Sequence, residues 1–516
     1  MSCRGLALLV ALLATPLAAQ QPDIPPDLDA FVQGVMADNG VPGLALTIVK
    51  DGKVLVAKGY GVRELGKPTP VDDATIFGIA SNSKFFTATA LAMLVEEGKL
   101  AWDAPVINYL PGFRLSDAWV TSQITIRDLL VHRSGLGLGA GDLLWWPGTD
   151  YSRQEIVRRL RFIPLATSFR SAYAYDNVLY TVAGEVIQAV SGRTWEQFIA
   201  ERILQPLGMA DSRVGHSGAA GGGNVATPHD RIDGVVQPIA PFATDNVNPA
   251  GGINASARDM AKWMIMQLDS GRVAGRAPLF GLRSSRELTA IVTPLGTSTN
   301  TGEFAPLSTR FNGYALGMNV RDYRGAKLFT HTGGLPGYIS RVAMMPELNL
   351  GVSVLTNHES SAMDPIVWQI LDHYVGGSTD WRSAYRTANA RNDSMTAAAA
   401  TRTSAARDST ARPSLPLTRY AGHYADAWYG GVDIAVESGK LVIRFSHTLR
   451  LVGDLIPWQY ETFTVRWRDR GLHADAFLTF TLDPRGRVAE ARMAPASPSV
   501  DFSFDFEDLL LSRAAP

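Results

Sequence analysis

Ser81 and Lys84 stand three residues apart in Ile79-Ala80-Ser81-Asn82-Ser83-Lys84, which on a helix puts them one turn apart on one face. A serine hydroxyl attacks a carbonyl carbon only when a neighbour takes its proton, and a lysine amine does this when burial or a nearby cation lowers its pKa. A helix N-terminus here adds partial positive charge, and the Ser81 backbone N–H is a candidate donor to an oxyanion. The same spacing also suits a serine N-cap followed by a surface lysine, so the pair alone leaves both readings open.

Tyr175-Asp176-Asn177 precedes a second helical pattern. If Tyr175 faces Ser81, its phenol can shuttle the proton that Lys84 helps remove, while Asn177 holds the amine and a substrate carbonyl. The alternative is a packed tyrosine beside a capping asparagine. A third segment, His331-Thr332-Gly333-Gly334, closes a strand pattern. Its paired glycines let backbone approach a ligand, and Gly334 N–H is a candidate second oxyanion donor. His331 can bind a substrate carboxylate when protonated or polarise the site when neutral. His216-Ser217-Gly218 has the same His-x-Gly form but lies in a Gly/Ala-rich loop, so His331 is preferred. His132 reads as a structural histidine near the site, and Trp145-Trp146 as a cleft wall or a loop anchor.

The elements that must position these groups follow from hydrophobic period and turn residues. Runs at 43–50 and 53–58 flank Asp51-Gly52 and predict a hairpin. Residues 85–97, 178–191 and 257–268 carry helical spacing, the last behind Ser256-Ala257-Arg258-Asp259, which resembles a capping box. Strands are expected at 328–330, 340–345 and 351–357, and a helix at 365–374. This order suggests an α+β sandwich with a largely helical insertion. Residues 379–415 form an Ala/Arg/Ser-rich, partly helical connector whose helix Thr379 can cap. Residues 416–513 carry short strand patterns at 432–436, 441–445, 462–467, 477–482 and 488–493, which make a small all-β, barrel-like domain.

The chain has 516 residues, 46% of them hydrophobic and 19% charged, with a net charge of −1. That balance supplies no electrostatic reason for nucleic acid as a partner. Lysines are scarce, nine among 48 basic residues, which sharpens interest in Lys84. The one cysteine, Cys3, falls in an apolar leader that reads as a secretory signal peptide over residues 1–19, giving a periplasmic or secreted mature chain with no transmembrane segment. Without mature cysteines, and with nine histidines that form no His-x-x-x-His pair, a metal site is not expected and no cofactor is implied.

The order Ser-x-x-Lys, Tyr-x-Asn, His-x-Gly, at separations of 94 and 156 residues, is far more specific than any member. On these motifs the chain resembles the penicillin-recognising serine hydrolases, the branch of class C β-lactamases, D-alanyl-D-alanine carboxypeptidases, D-aminopeptidases and esterases. Residues 129–136 and Asn248-Pro249-Ala250-Gly251-Gly252 also look like segments of that branch. The resemblance covers about residues 25–378. It implies a β-lactamase-like α/β/α sandwich around an antiparallel sheet over residues 24–378 and a Ser81 acyl-enzyme. Lys84 and Tyr175 would be the base pair, Asn177 would support both, and the N–H groups of Ser81 and Gly334 would hold the oxyanion beside His331 and Gly333. The tail resembles a small β domain often fused behind such hydrolases, whose role the resemblance leaves open.

One departure matters. Many relatives carry Lys-Thr-Gly where this chain has His331-Thr332-Gly333, and a histidine is mostly neutral near pH 7. The expected activity is therefore cleavage of amide or ester bonds in small peptides, D-residue-containing or not, or in small esters. β-Lactamase or penicillin-binding carboxypeptidase activity is the nearer alternative, and a non-catalytic cell-envelope binding protein the farther one. Substrate choice is expected from the loops at 135–150, 216–250 and 295–312.

Overall fold

The Asp51-Gly52 turn folds the first two β-rich runs into the expected hairpin, β1 (Gly43–Lys50) and β2 (Lys53–Gly61). The computed structural model describes residues 24–219, 222–405, 407–408 and 410–514. Cys3 and the expected leader over residues 1–19 lie outside the described residues. Seven of the eight residues of β1 are fully buried, so this strand has protein on both faces.

Its sheet continues with β3 (Thr293–Pro294), β4 (Asn312–Tyr314), β5 (Asn319–Tyr323), β6 (Ala326–Leu335), β7 (Tyr338–Met345) and β8 (Leu350–Thr356). The order across the sheet is β2-β1-β8-β7-β6-β5-β4-β3, antiparallel throughout. One face packs on α1 (Leu28–Asn39) and α5 (Met363–Val375) around Val32, Ile366 and Trp368. The other face carries α2 (Ser83–Glu96), α3 (Val178–Ser191) and α4 (Ala257–Leu268). The α/β/α sandwich implied by the resemblance is the architecture observed. α2 is buried on nearly its whole circumference, because Phe86 stacks on Trp263 of α4 at 3.5 Å and 9°.

Ser256 caps α4, its hydroxyl accepting from Asp259 N–H, but Asp259 turns away to accept the N–H groups of Asp211 and Ser212. The connector holds one helix, α6 (Trp381–Ala405). Asp380 accepts the N–H of Ser383 at its start, whereas the Thr379 hydroxyl expected there is taken by Arg324.

The tail is a closed eight-stranded antiparallel barrel: β9 (Gly422–Asp426), β10 (Gly430–Glu437), β11 (Lys440–Phe445), β12 (Val452–Gln459), β13 (Thr462–Trp467), β14 (Ala476–Leu482), β15 (Val488–Pro495) and β16 (Leu510–Arg513). Closure removes the exposed edges a small sheet would otherwise present. The sequence pattern shows five of these strands. β9 is missed, β12 is broken by a register shift at Pro457, and β16 is a four-residue seam that pairs with β9 only through Tyr424↔Arg513 and Ala425↔Ser512. The barrel interior and the helical face of the sandwich share one continuous apolar core. Tyr151 stacks on His447 at 4.0 Å across the junction, and Asp230 is bonded to His473 at 2.7 Å.

Trp263 anchors the helix that carries the nucleophile motif. Trp263→Ala should cost about 3–5 kcal/mol and lower the urea midpoint with little change in slope; an unchanged midpoint would contradict this packing.

Candidate active site

Ser81 sits in a single 3-10 turn, Ala80–Asn82, that runs into α2. Ala80 has φ of 48°, left-handed backbone that a residue with a Cβ rarely adopts. Neighbours hold the turn there. Ile79 N–H donates to Ile253 O at 3.0 Å, Asn82 Nδ2 to Ser340 Oγ at 2.8 Å, and Ser340 Oγ to Ile79 O at 2.7 Å. Gly333 lies against the same turn. A Cβ there would stand 2.2 Å from Ile79 O and 2.6 Å from Ser340 Oγ, so only glycine lets β6 approach the nucleophile so closely.

Lys84 is fully buried, which excludes the surface-lysine reading. Its Nζ lies 2.6 Å from Asn177 Oδ1, 3.1 Å from the Ala250 carbonyl and 3.0 Å from Ser81 Oγ. Burial lowers its pKa to about 7, against a smaller upward pull from Asp142 and Asp176. A neutral amine has two N–H donors and one lone pair. The first two contacts are pure acceptors, so the donors go to Asn177 and Ala250 and the lone pair is left facing the Ser81 hydroxyl. That is the arrangement of a general base poised on its nucleophile.

Lys84 Nζ lies 4.9 Å from the Tyr175 ring centroid. Burial pushes the phenol above the usual tyrosine range, which keeps it a proton donor. Asn177 heads α3, but its side chain caps nothing. Its Oδ1 accepts from Lys84 while its Nδ2 donates to Asp142 Oδ2 at 2.8 Å. Asp142 in turn accepts Trp145 Nε1–H at 2.8 Å and the Ser503 hydroxyl at 3.0 Å. Burial raises Asp142 and Asp176 alike to about 7.

β6 outruns its neighbour. Pairing with β5 ends at Thr330, whereas pairing with β7 continues to Leu335. Along this stretch Thr332 and Gly334 are exposed while His331 and Gly333 are buried. His331 is bonded through Nε2 to Tyr314 Oη at 2.9 Å and through Nδ1 to Thr332 O at 2.5 Å. Since Thr332 O can only accept, Nδ1 carries the proton and Nε2 accepts from the phenol. Burial, reinforced by Lys84, lowers its pKa to about 3. Of the two roles open to it from sequence, the structure supports the neutral one.

The other candidates fall into place around this cluster. His132 is buried 4.2 Å from the Tyr175 ring and accepts the Asp176 N–H, a packing partner of Tyr175. His216 packs on Phe242 and lines a separate cavity of about 360 Å³ with Leu335 and Tyr338. Trp146 lies between Phe242 and Phe504, while Trp145 serves Asp142. Within the 295–312 loop, Phe304 packs on Trp381 and Tyr385, in the core on the opposite face of the sheet. Sequence reasoning missed Asp142, Ser340, Tyr314 and Ser503, and noted the Ala250 segment without its carbonyl's role.

Architecture and site together place the chain among serine hydrolases with a penicillin-binding-protein-like fold. The model of the Beta-lactamase family matches residues 28–375, and the chain belongs to that family. A domain of unknown function, DUF3471, matches residues 406–513. Among curated relatives, the unguisins hydrolase ungD of Aspergillus violaceofuscus is 29% identical over 438 residues, covering 78% of this chain and 75% of its own. The octameric penicillin-binding protein homologue of Pyrococcus abyssi has the same fold at a TM-score of 0.60 and 22% identity, over 94% of this chain and 99% of its own. A D-stereospecific amidohydrolase from Streptomyces sp. superposes at 0.53 and 23% identity, over 67% and 98%.

Two titrations follow. Lys84 must be neutral to accept a proton, so kcat/KM should fall about tenfold per pH unit below a limb near pH 7; a plateau reaching pH 5 would contradict the base role. The His331 ring nitrogens should keep neutral-tautomer ¹⁵N shifts from pH 5 to 8, and a titration inside that range would exclude the bonding described.

Proposed function

We propose that this chain is a serine hydrolase that forms an acyl-enzyme on Ser81 and cleaves amide or ester bonds of small peptides, D-residue-containing or not, or of small esters. The observation that carries the reading is the buried Lys84 Nζ 3.0 Å from Ser81 Oγ, with two further acceptors, Asn177 Oδ1 and the Ala250 carbonyl, placed to take its hydrogens. Ser81 Oγ bonds to the carbonyl carbon as its proton passes to Lys84 Nζ. The tetrahedral oxyanion is held by the N–H groups of Ser81 and Gly334. As the C–N or C–O bond breaks, the proton returns from Lys84 through Tyr175 to the leaving nitrogen or oxygen. Water then attacks the ester carbon, gives its proton to the same pair, and Ser81 leaves with that proton restored.

His331 bears on substrate class. A neutral imidazole offers no permanent cation to a β-lactam carboxylate, which supports peptides and esters over penicillins. The hydrolase and amidohydrolase named among the relatives are consistent with amide substrates. The apolar N-terminal leader supports export of the mature chain.

Ser81→Ala should abolish both turnover of D- and L-aminoacyl p-nitroanilides and p-nitrophenyl esters and covalent labelling by a fluorophosphonate. Stoichiometric labelling of that variant would overturn the assignment. Nitrocefin should turn over at least 100-fold more slowly than the best ester or anilide.

A further inference from the structure

Residues 496–509 join the last two strands of the barrel, and part of this connection lies in the hydrolase site, more than 320 residues along the chain from the groups it meets. Four consecutive residues make the contact. The Phe502 ring lies 5.9 Å from the Tyr175 ring, edge to face. Ser503 Oγ donates to Asp142 Oδ2 at 3.0 Å. Phe504 packs on Trp146 at 6.0 Å, and Asp505 Oδ2 accepts Gly141 N–H at 2.6 Å. The receiving loop is shaped for the approach. Gly139 has φ of 69°, its N–H donates to Tyr175 O at 2.8 Å, and a Cβ on it would stand 2.7 Å from Phe502 O.

We propose that this barrel segment is a working part of the hydrolase site, with Ser503 as a positioning residue that acts on Lys84 through Asp142 and Asn177. The inference rests on the reading of Ser81 and Lys84 given above. Every member of the chain Ser503, Asp142, Asn177, Lys84 is at most 5% exposed, so water does not substitute for the protein partners. An amide can face Lys84 with its oxygen or with its nitrogen, and the orientation decides whether the amine finds an acceptor. While Asp142 only accepts, Asn177 must point Nδ2 at it and Oδ1 at Lys84. A protonated Asp142 offers an O–H instead, and the amide is then free to turn Oδ1 away from the amine. Ser503 and Trp145 supply the donors that keep Asp142 an acceptor.

The titratable groups around Asp142 are Lys84 on α2, Tyr175 and Asp176 ahead of α3, and Asp505 and Asp508 on the barrel segment. His132 and His331 flank Lys84 on its other side. Burial and the neighbouring Asp508 push Asp505 up to about 9, so it meets Asp142 as a neutral acid at pH 7. Losing the Ser503 donor raises the proton affinity of Asp142 further. A protonated Asp142 no longer stabilises a positive Lys84, and the acid limb of the pH profile moves to lower pH while the misoriented amide lowers the rate.

Four substitutions in the full chain test this, one of them a control. Ser503→Val and Ser503→Thr have the same shape and differ by the hydroxyl; Ser503→Ala removes the group without adding bulk, and Ser499→Ala on the same segment is the control. Fluorophosphonate labelling rate and the pH profile of ester kcat/KM are measured, with thermal melting as a check on folding. The Val and Ala variants should label about tenfold more slowly, with the acid limb about half a pH unit lower. The Thr variant and Ser499→Ala should match the parent in both. Equal behaviour of the Val and Thr variants, or a labelling rate and limb unchanged in Ser503→Ala, overturns the role of Ser503 while leaving the acyl-enzyme reading intact. Failure of the parent chain to label at Ser81 overturns both.

Discussion

A lysine amine without solvent, held among fixed acceptors beside a serine, is the constraint on which the rest of this structure depends. Burying an ammonium costs several kcal/mol unless it is paired or gives up its proton. Lys84, with its pKa brought down to about 7, reaches the latter state near neutral pH, and loss of the proton turns a cation into a base. Two acceptors are then needed for its hydrogens, which explains why an asparagine at the head of α3 forgoes capping and why the Ala250 carbonyl points into the same space. A third direction remains for the lone pair, and Ser81 stands in it.

The same burial governs every ionisable neighbour. Tyr175 is held protonated, His331 is held neutral, and Asp142 and Asp176 lie near the point at which they share protons with Lys84. Such a site assigns proton donor and acceptor by surroundings and not by residue type. It also explains how a histidine can stand beside Lys84 without a counter-charge. A second buried ammonium so close to Lys84 would need its own counter-charge, whereas an imidazole bonded to Tyr314 and to Thr332 O needs none.

The two domains are not independent bodies joined by a tether. Their apolar interiors are continuous, and the seam is sealed by the Tyr151–His447 stack and the Asp230–His473 pair. The segment before the last barrel strand meets the Gly-rich loop beside Tyr175, and that loop has the backbone shape to receive it. A connection of one domain thus packs against side chains of the other, as in any single core.

Much of this was legible in one dimension. Helical period and glycine stops located α2 and α3, the Asp-Gly turn located the first hairpin, and three short motifs pointed to Ser81, Lys84, Tyr175, Asn177, His331 and Gly333, which the fold brings into one cluster. What lay beyond reach was whatever depends on groups far apart in the chain. A barrel seam of four residues has no period to detect, and Asp142, Ser340, Tyr314 and Ser503 carry no local signature. Their roles exist only because folding brings each within about 3 Å of a partner 17 to 361 residues away. Protonation followed the same rule. The sequence by itself determined which groups could exchange protons; the tertiary structure decided which of them carry charge, because removal from water, and not residue identity, sets the cost of an ion.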